Sequence, residues 1–143
     1  MKKTAAVLLA ALMVTSSVSF AATLSSQSKD QVQQTFVNKT FTSLPMPFLG
    51  QPINNIFTGY MDDQNKIWGK FAQLPQNNVP QVDQGVYTMK DDGQLCITWQ
   101  HWMNAKEICV YTYETNNAYL IVSNDNNFHV AFMKSAVQPG RQI

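Results

Sequence analysis

The sequence predicts an all-β domain, a small antiparallel up-and-down barrel or curved meander with one short N-terminal helix, and three observations predict it. From Lys39 onward the chain is a series of short β-rich runs separated by clusters of Asp, Asn and Gly. No link between the runs is long enough for the helical crossover a parallel sheet requires. The two cysteines, Cys96 and Cys109, stand in neighbouring runs, thirteen residues apart, as a cross-strand pair would.

The N-terminus reads as an export leader. Lys2 and Lys3 precede the apolar run Ala5 to Val14, and Ser19-Phe20-Ala21 supplies the small residues that signal peptidase reads. Residues 1–21 are therefore expected to be a signal peptide cleaved after Ala21, and residues 22–143 one exported domain. The apolar run is shorter than the roughly 20 residues a membrane span needs, and Ala22 is not the cysteine a lipid anchor would use. No membrane anchor is expected. The lysine-led leader is bacterial in style and points to the periplasm or the medium.

Composition limits the partners. Of 143 residues only 13% are charged. Without Lys2 and Lys3 the balance is eight basic against nine acidic residues, which excludes the basic footprint of a nucleic-acid binder. Polarity comes instead from 14 Gln and 12 Asn.

The elements follow in order. Ser28-Lys29-Asp30-Gln31 fits a capping box, and Val32, Phe36 and Val37 give a narrow apolar stripe on a helix ending near Asn38. This helix is expected to brace a sheet. Strands are expected near residues 39–43, 53–61, 66–73, 85–90, 94–100, 107–113, 118–123 and 128–134. Between them lie Asp62-Asp63-Gln64-Asn65, Asp91-Asp92-Gly93, Thr115-Asn116-Asn117 and Asn124-Asp125-Asn126-Asn127, residues that tolerate positive φ or bond their own backbone. Two connections, 44–52 and 74–84, are longer and carry prolines. Eight such strands can close into an up-and-down barrel, lipocalin-like in build and the favoured reading, or fold as a sandwich, the two ways an all-β chain manages its edges.

In an exported chain Cys96 and Cys109 are expected to form a structural disulfide; a reactive dithiol would sit closer, as in C-x-x-C. Placed opposite each other, they set Thr98 against Glu107 and Gln100 against Ala105, leaving a four-residue hairpin loop, His101 to Asn104. Alternation then puts Leu95, Ile97 and Trp99 on one face and Cys96, Thr98 and Gln100 on the other, with Tyr111 and Tyr113 on the face of Cys109.

Gly85-Val86-Tyr87, then Asp92-Gly93-Gln94-Leu95-Cys96-Ile97-Thr98-Trp99, Cys109 and the Tyr119 strand resemble a family of small secreted bacterial domains of unknown function. That family has a G-x-W/Y strand, a D-G-x-L-C-x-x-W hairpin and a second cysteine in the next strand. The match runs from Gly85 to the end. The chain departs from it in Tyr87, where tryptophan is common, and in Trp102 inside the following loop. The resemblance implies export, the Cys96–Cys109 bond and an all-β fold, and supplies no activity.

No motif specifies a reaction. The histidines, His101 and His129, lack the spacing of a zinc site, and no G-x-S-x-G marks an activated serine. The carboxylates, Asp83 among them, read mostly as turn residues. The Asn124 to Asn127 tract lacks the glycine and glutamate of a calcium loop. Neither metal nor cofactor is expected. The aromatic set is the more suggestive one. Trp68, Trp99, Trp102, Tyr60, Tyr87, Tyr111, Tyr113 and Tyr119 either fill a core or line a ligand mouth, and Trp68, Trp99, His101, Trp102, Tyr111 and Tyr113 are the candidate ligand-binding residues. Pro45, Met46, Pro47, Phe48 and Leu49 form an apolar segment that would plug a barrel end, cover a pocket or dock a partner.

The function expected is an exported, non-enzymatic binding module for a small apolar molecule, a glycan or a protein, as in a secreted effector or host-interaction factor. The chain would be a monomer or a weak homo-oligomer. The alternatives are a self-associating envelope or matrix protein, suggested by low net charge and abundant amides, and a small extracytoplasmic hydrolase using His101 or a carboxylate as base.

Overall fold

The computed structural model describes residues 24–48, 51–73, 80–125 and 129–143; the expected signal peptide, residues 1–21, lies outside the described residues. Helix α1 (Lys29–Phe36) precedes strands β1 (Lys39–Ser43), β2 (Met46–Phe48), β3 (Gln51–Asn55), β4 (Phe57–Met61), β5 (Lys66–Phe71), β6 (Val82–Met89), β7 (Leu95–Trp99), β8 (Ile108–Glu114), β9 (Ala118–Ser123) and β10 (His129–Pro139), with a 3-10 turn at Trp102–Ala105. Eight strands close an antiparallel barrel in the order β1-β10-β9-β8-β7-β6-β5-β4. β1 completes the ring by pairing with both β10 and β4.

The expected meander is thus a closed barrel, held by turns whose chemistry is visible in the sequence. Asp62 Oδ1 accepts from the N–H groups of Gln64 and Lys66 at 2.9 and 2.8 Å, and Asp92 Oδ1 from Gln94 N–H at 3.0 Å. Gly93 has φ +86°, and a Cβ there would stand 2.0 Å from the Gln27 carbonyl oxygen, so only glycine lets the N-terminal segment cross this turn.

That segment leads into α1, which begins with the expected capping box between Ser28 and Gln31. The helix buries Val32 and Phe36. The Phe36 ring meets Phe41, Tyr119 and Phe132 edge-on, with centroids 5.0, 5.7 and 6.1 Å away. The brace is therefore a plug, closing the barrel end that carries the β4–β5, β6–β7 and β8–β9 turns. Asn38, at φ 60°, turns the chain from the helix into β1.

The boundaries differ from expectation at several points: the connection expected at 44–52 holds β2 and the start of β3, and the strand expected to reach 73 ends at Phe71. The run 53–61 divides at Ile56, because β3 leaves the barrel to pair with β2 as a separate two-stranded sheet. β6 begins at Val82 rather than Gly85. β10 runs on to Pro139, since past a register shift it pairs with β1. The cysteines do face each other and are bonded, flanked by Leu95 opposite Val110 and Ile97 opposite Ile108. The pairing ends there: the expected Thr98–Glu107 and Gln100–Ala105 pairs do not form, and the four-residue hairpin loop is replaced by a wider excursion.

Candidate functional site

The excursion is organised by Asp83. Alternation along β6 turns Asp83 inward with Gly85 and Tyr87, and the residue is only 3% exposed. Its Oδ2 accepts from the backbone N–H groups of His101 and Trp102 at 2.9 and 2.8 Å. Its Oδ1 accepts from Gln84 N–H at 2.9 Å and lies 2.9 Å from His101 Nδ1. Burial pushes the Asp83 carboxyl up, but these four hydrogen bonds outweigh it and leave it below the usual carboxylate range. The ionised carboxylate makes His101 Nδ1 the protonated nitrogen, while the ring is otherwise largely in solvent, its side chain 64% exposed.

Trp102, seated by Asp83, drops into the barrel's second end. Its Nε1–H donates to the Pro80 carbonyl at 2.8 Å, and its ring lies 4.7 Å from Phe71, 4.8 Å from Trp99 and 6.3 Å from Phe57. Gly69 makes room for them: a Cβ there would be 2.6 Å from the Trp102 ring and 2.7 Å from those of Phe57 and Trp99. Beyond Trp102 the chain turns through Met103, Asn104 and Ala105, all at positive φ of 53–56°, an arrangement that residues with a Cβ resist. Asp83 and the buried indole hold the strained turn in place.

The candidate ring residues therefore do not share one site. Trp99 and Trp102 are buried core. His101 sits on the rim beside them. Tyr111 and Tyr113 are on the outside of β8, where the Tyr111 hydroxyl donates to Asp92 Oδ2 at 2.9 Å. That bond lowers the Asp92 pKa, after the larger effect of the Gln94 N–H, and raises that of Tyr111. Trp68 lies on the outside of β5 beside Tyr60 of β4, with ring centroids 5.7 Å apart, and Arg141 stacks its guanidinium 4.1 Å over the Trp68 ring. A groove of about 340 Å³ opens between α1 and β6, lined by Lys29, Gln33, Asn65, Tyr87, Thr88 and Met89; of the sequence's aromatic set only Tyr87 reaches it.

The apolar segment divides as well. Pro45 is exposed, Met46–Phe48 is β2, and Leu49 lies outside the described residues. Cys96 and Cys109 are joined, so the carboxylate of Glu107 beside Cys109 has no free thiolate with which to share a metal. The disulfide is compatible with an oxidising, extracytoplasmic location.

Sequence reasoning missed Asp83 and Arg141. The period-2 pattern Asp83, Gly85, Tyr87 was available to place Asp83 inside. Arg141 has no such signal, since its position depends on Gly140, at φ +81°, folding the tail back over β1. The chain matches no known family model, and no curated protein or solved structure matches it.

Proposed function

We propose that this protein is an exported bacterial binding module, without catalytic activity, whose protein or glycan ligand meets its outer surface. The observation that carries this reading is the filled interior. Phe57, Phe71, Trp99 and Trp102 pack at centroid distances of 4.7–6.3 Å at one end, and α1 plugs the other. A small apolar molecule has no room among these rings. The cysteine bond and the motif residues from Gly85 onward support export and membership of a secreted domain family.

The hydrolase reading draws on one observation, the contact of His101 Nδ1 with a buried carboxylate, which is how a general base is oriented. Against it, Asp83 also binds two backbone N–H groups of the turn, and among the described residues no hydroxyl or thiol side chain hydrogen-bonds the imidazole. Among the described residues, barrel closure leaves the β2–β3 hairpin as the sheet edge open to self-association.

Expression of the full chain in a Gram-negative host tests the reading. The expected product is extracytoplasmic, oxidised, begins at Ala22 and leaves a panel of ester and glycoside substrates uncleaved. Retention in the cytoplasm with the leader intact would overturn export, and hydrolysis abolished by His101→Ala would replace the binding module with the hydrolase.

A further inference from the structure

We propose that the outer face of β4, β5 and β6, together with the C-terminal tail, is a docking surface for a protein partner that presents carboxylates around an apolar patch. The inference rests on the reading of the chain as a module that binds through its outside. Alternation along β5 sets Lys66, Trp68 and Lys70 in one outward row. Register places Tyr60 beside Trp68 from β4, and Val86 and Val82 of β6 beside Lys66 and Lys70. Both valines stand in water, 57% and 53% exposed.

The tail completes the face. Thr40 Oγ1 donates to the Gly140 carbonyl at 2.7 Å and accepts from Gln142 N–H at 2.9 Å. Arg141 is held between these two bonds, its guanidinium over Trp68 and 5.9 Å from the Tyr60 ring centroid.

Charge identifies the partner. Lys29 is paired with Asp91 and Lys134 with Glu114, while Lys39 donates to the Gln34 carbonyl and Lys90 to Gln94 Oε1. Among the described residues, the side chains of Lys66, Lys70 and Arg141 have no hydrogen-bond or ion-pair partner, and no carboxylate points outward from β4, β5 or β6. Asp83 of β6 points inward, and Asp62 and Asp63 belong to the turn at the strand ends. Three uncompensated cations thus surround a tryptophan, and their complement is anionic.

The rings decide between a protein and an acidic polysaccharide. Arg141 already covers a face of Trp68 on which a sugar would stack, and the exposed valines offer apolar flanks. Trp, Tyr and Arg are the residues concentrated in the energetic centre of protein interfaces. Stacking fixes the orientation of the guanidinium and leaves its N–H donors for a bidentate carboxylate.

The test is an amide-shift titration of the oxidised protein, produced from the full chain, with a synthetic peptide alternating Glu and Leu and, separately, with polygalacturonate. Saturable peptide binding is expected, with shifts confined to β4–β6 and the tail. Arg141→Ala should weaken it about tenfold and Lys66→Glu with Lys70→Glu at least as much, whereas Lys106→Glu, a cation in the β7–β8 excursion, should change it less than about twofold. No binding, shifts centred elsewhere, or an equal loss from Lys106→Glu would overturn the assignment. Tighter polygalacturonate binding at this face would make it a glycan site instead. None of these outcomes touches the binding-module reading, which falls on cytoplasmic retention or His101-dependent hydrolysis.

Discussion

The β7–β8 excursion should depend on Asp83 far more than on His101, although the two side chains are in contact. Asp83→Ala removes the acceptor of four N–H groups. Those of Gln84, the His101 backbone and the His101 ring are only part-buried and can turn to water. The Trp102 N–H bond is the buried one, and Trp102 itself is 5% exposed, so this donor loses its partner without gaining one. An unsatisfied buried donor costs about 1–3 kcal/mol, which is the expected loss. At about 3–5 °C per kcal/mol for a domain of this size, Tm should fall by about 3–15 °C. His101→Ala removes only the largely solvated imidazole contact and should cost less than about 1 kcal/mol. Urea unfolding at pH 7, followed by tryptophan fluorescence and near-UV circular dichroism, separates the two variants, since Trp99 and Trp102 sit at the perturbed end. The reasoning fails if Asp83→Ala stays within about 0.5 kcal/mol of wild type, or if His101→Ala costs as much as Asp83→Ala.

Three further outcomes follow from the same geometry. Gly69→Ala should destabilise by about 1–3 kcal/mol through overpacking against the Trp102, Phe57 and Trp99 rings, visible as a lowered urea midpoint with an altered near-UV spectrum. Replacing both Cys96 and Cys109 by Ser should cost on the order of 3 kcal/mol, the chain entropy of a thirteen-residue loop, while far-UV circular dichroism still reports the barrel. The Asp83 carboxyl is lowered in the folded protein, so its stabilisation is complete above the unfolded pKa of about 4 and is lost as pH falls through the folded value. Wild-type stability should therefore drop on acidification below about pH 4, and Asp83→Asn should flatten that drop in urea titrations between pH 2 and 6.

The hairpins were legible because their determinants are local. Asp62, Asp92 and Thr115 each bond backbone within four residues, and the cysteines supply the β7–β8 register. The excursion after Trp99 was not legible. It is set by Asp83, eighteen residues upstream of His101, and a carboxylate between Val82 and Gln84 looks like the polar end of a loop. Reading Asp83 as a loop residue also moved the start of β6 to Gly85. Trp102 was misplaced for the same reason: beside His101 and Asn104 it resembles a loop aromatic, yet its indole fills the space Gly69 leaves. Of the outer face only the strand near 66–73 and the candidate Trp68 were read from the sequence; the alternation that aligns Lys66 and Lys70 with Trp68 went unused, and nothing in the order of residues brings Arg141 onto Trp68.

For the binding module proposed above, the energetics of the two barrel ends favour a ligand on the outside. A molecule entering the interior must displace Trp102 or Phe36, and removing such a buried ring costs about 3–5 kcal/mol. Because 1.4 kcal/mol is tenfold in affinity, interior binding begins at a disadvantage of between about a hundredfold and a few thousandfold. The outer face of β4–β6 carries no such debt. Its valines are already in water, its lysines are unpaired within the described fold, and Arg141 has given up most of its freedom to Trp68 and the Thr40 bonds before any partner arrives. Less ordering then remains to be done on association, which is the advantage of preorganisation. The packing that closes the barrel to small molecules also gives this face a rigid backing.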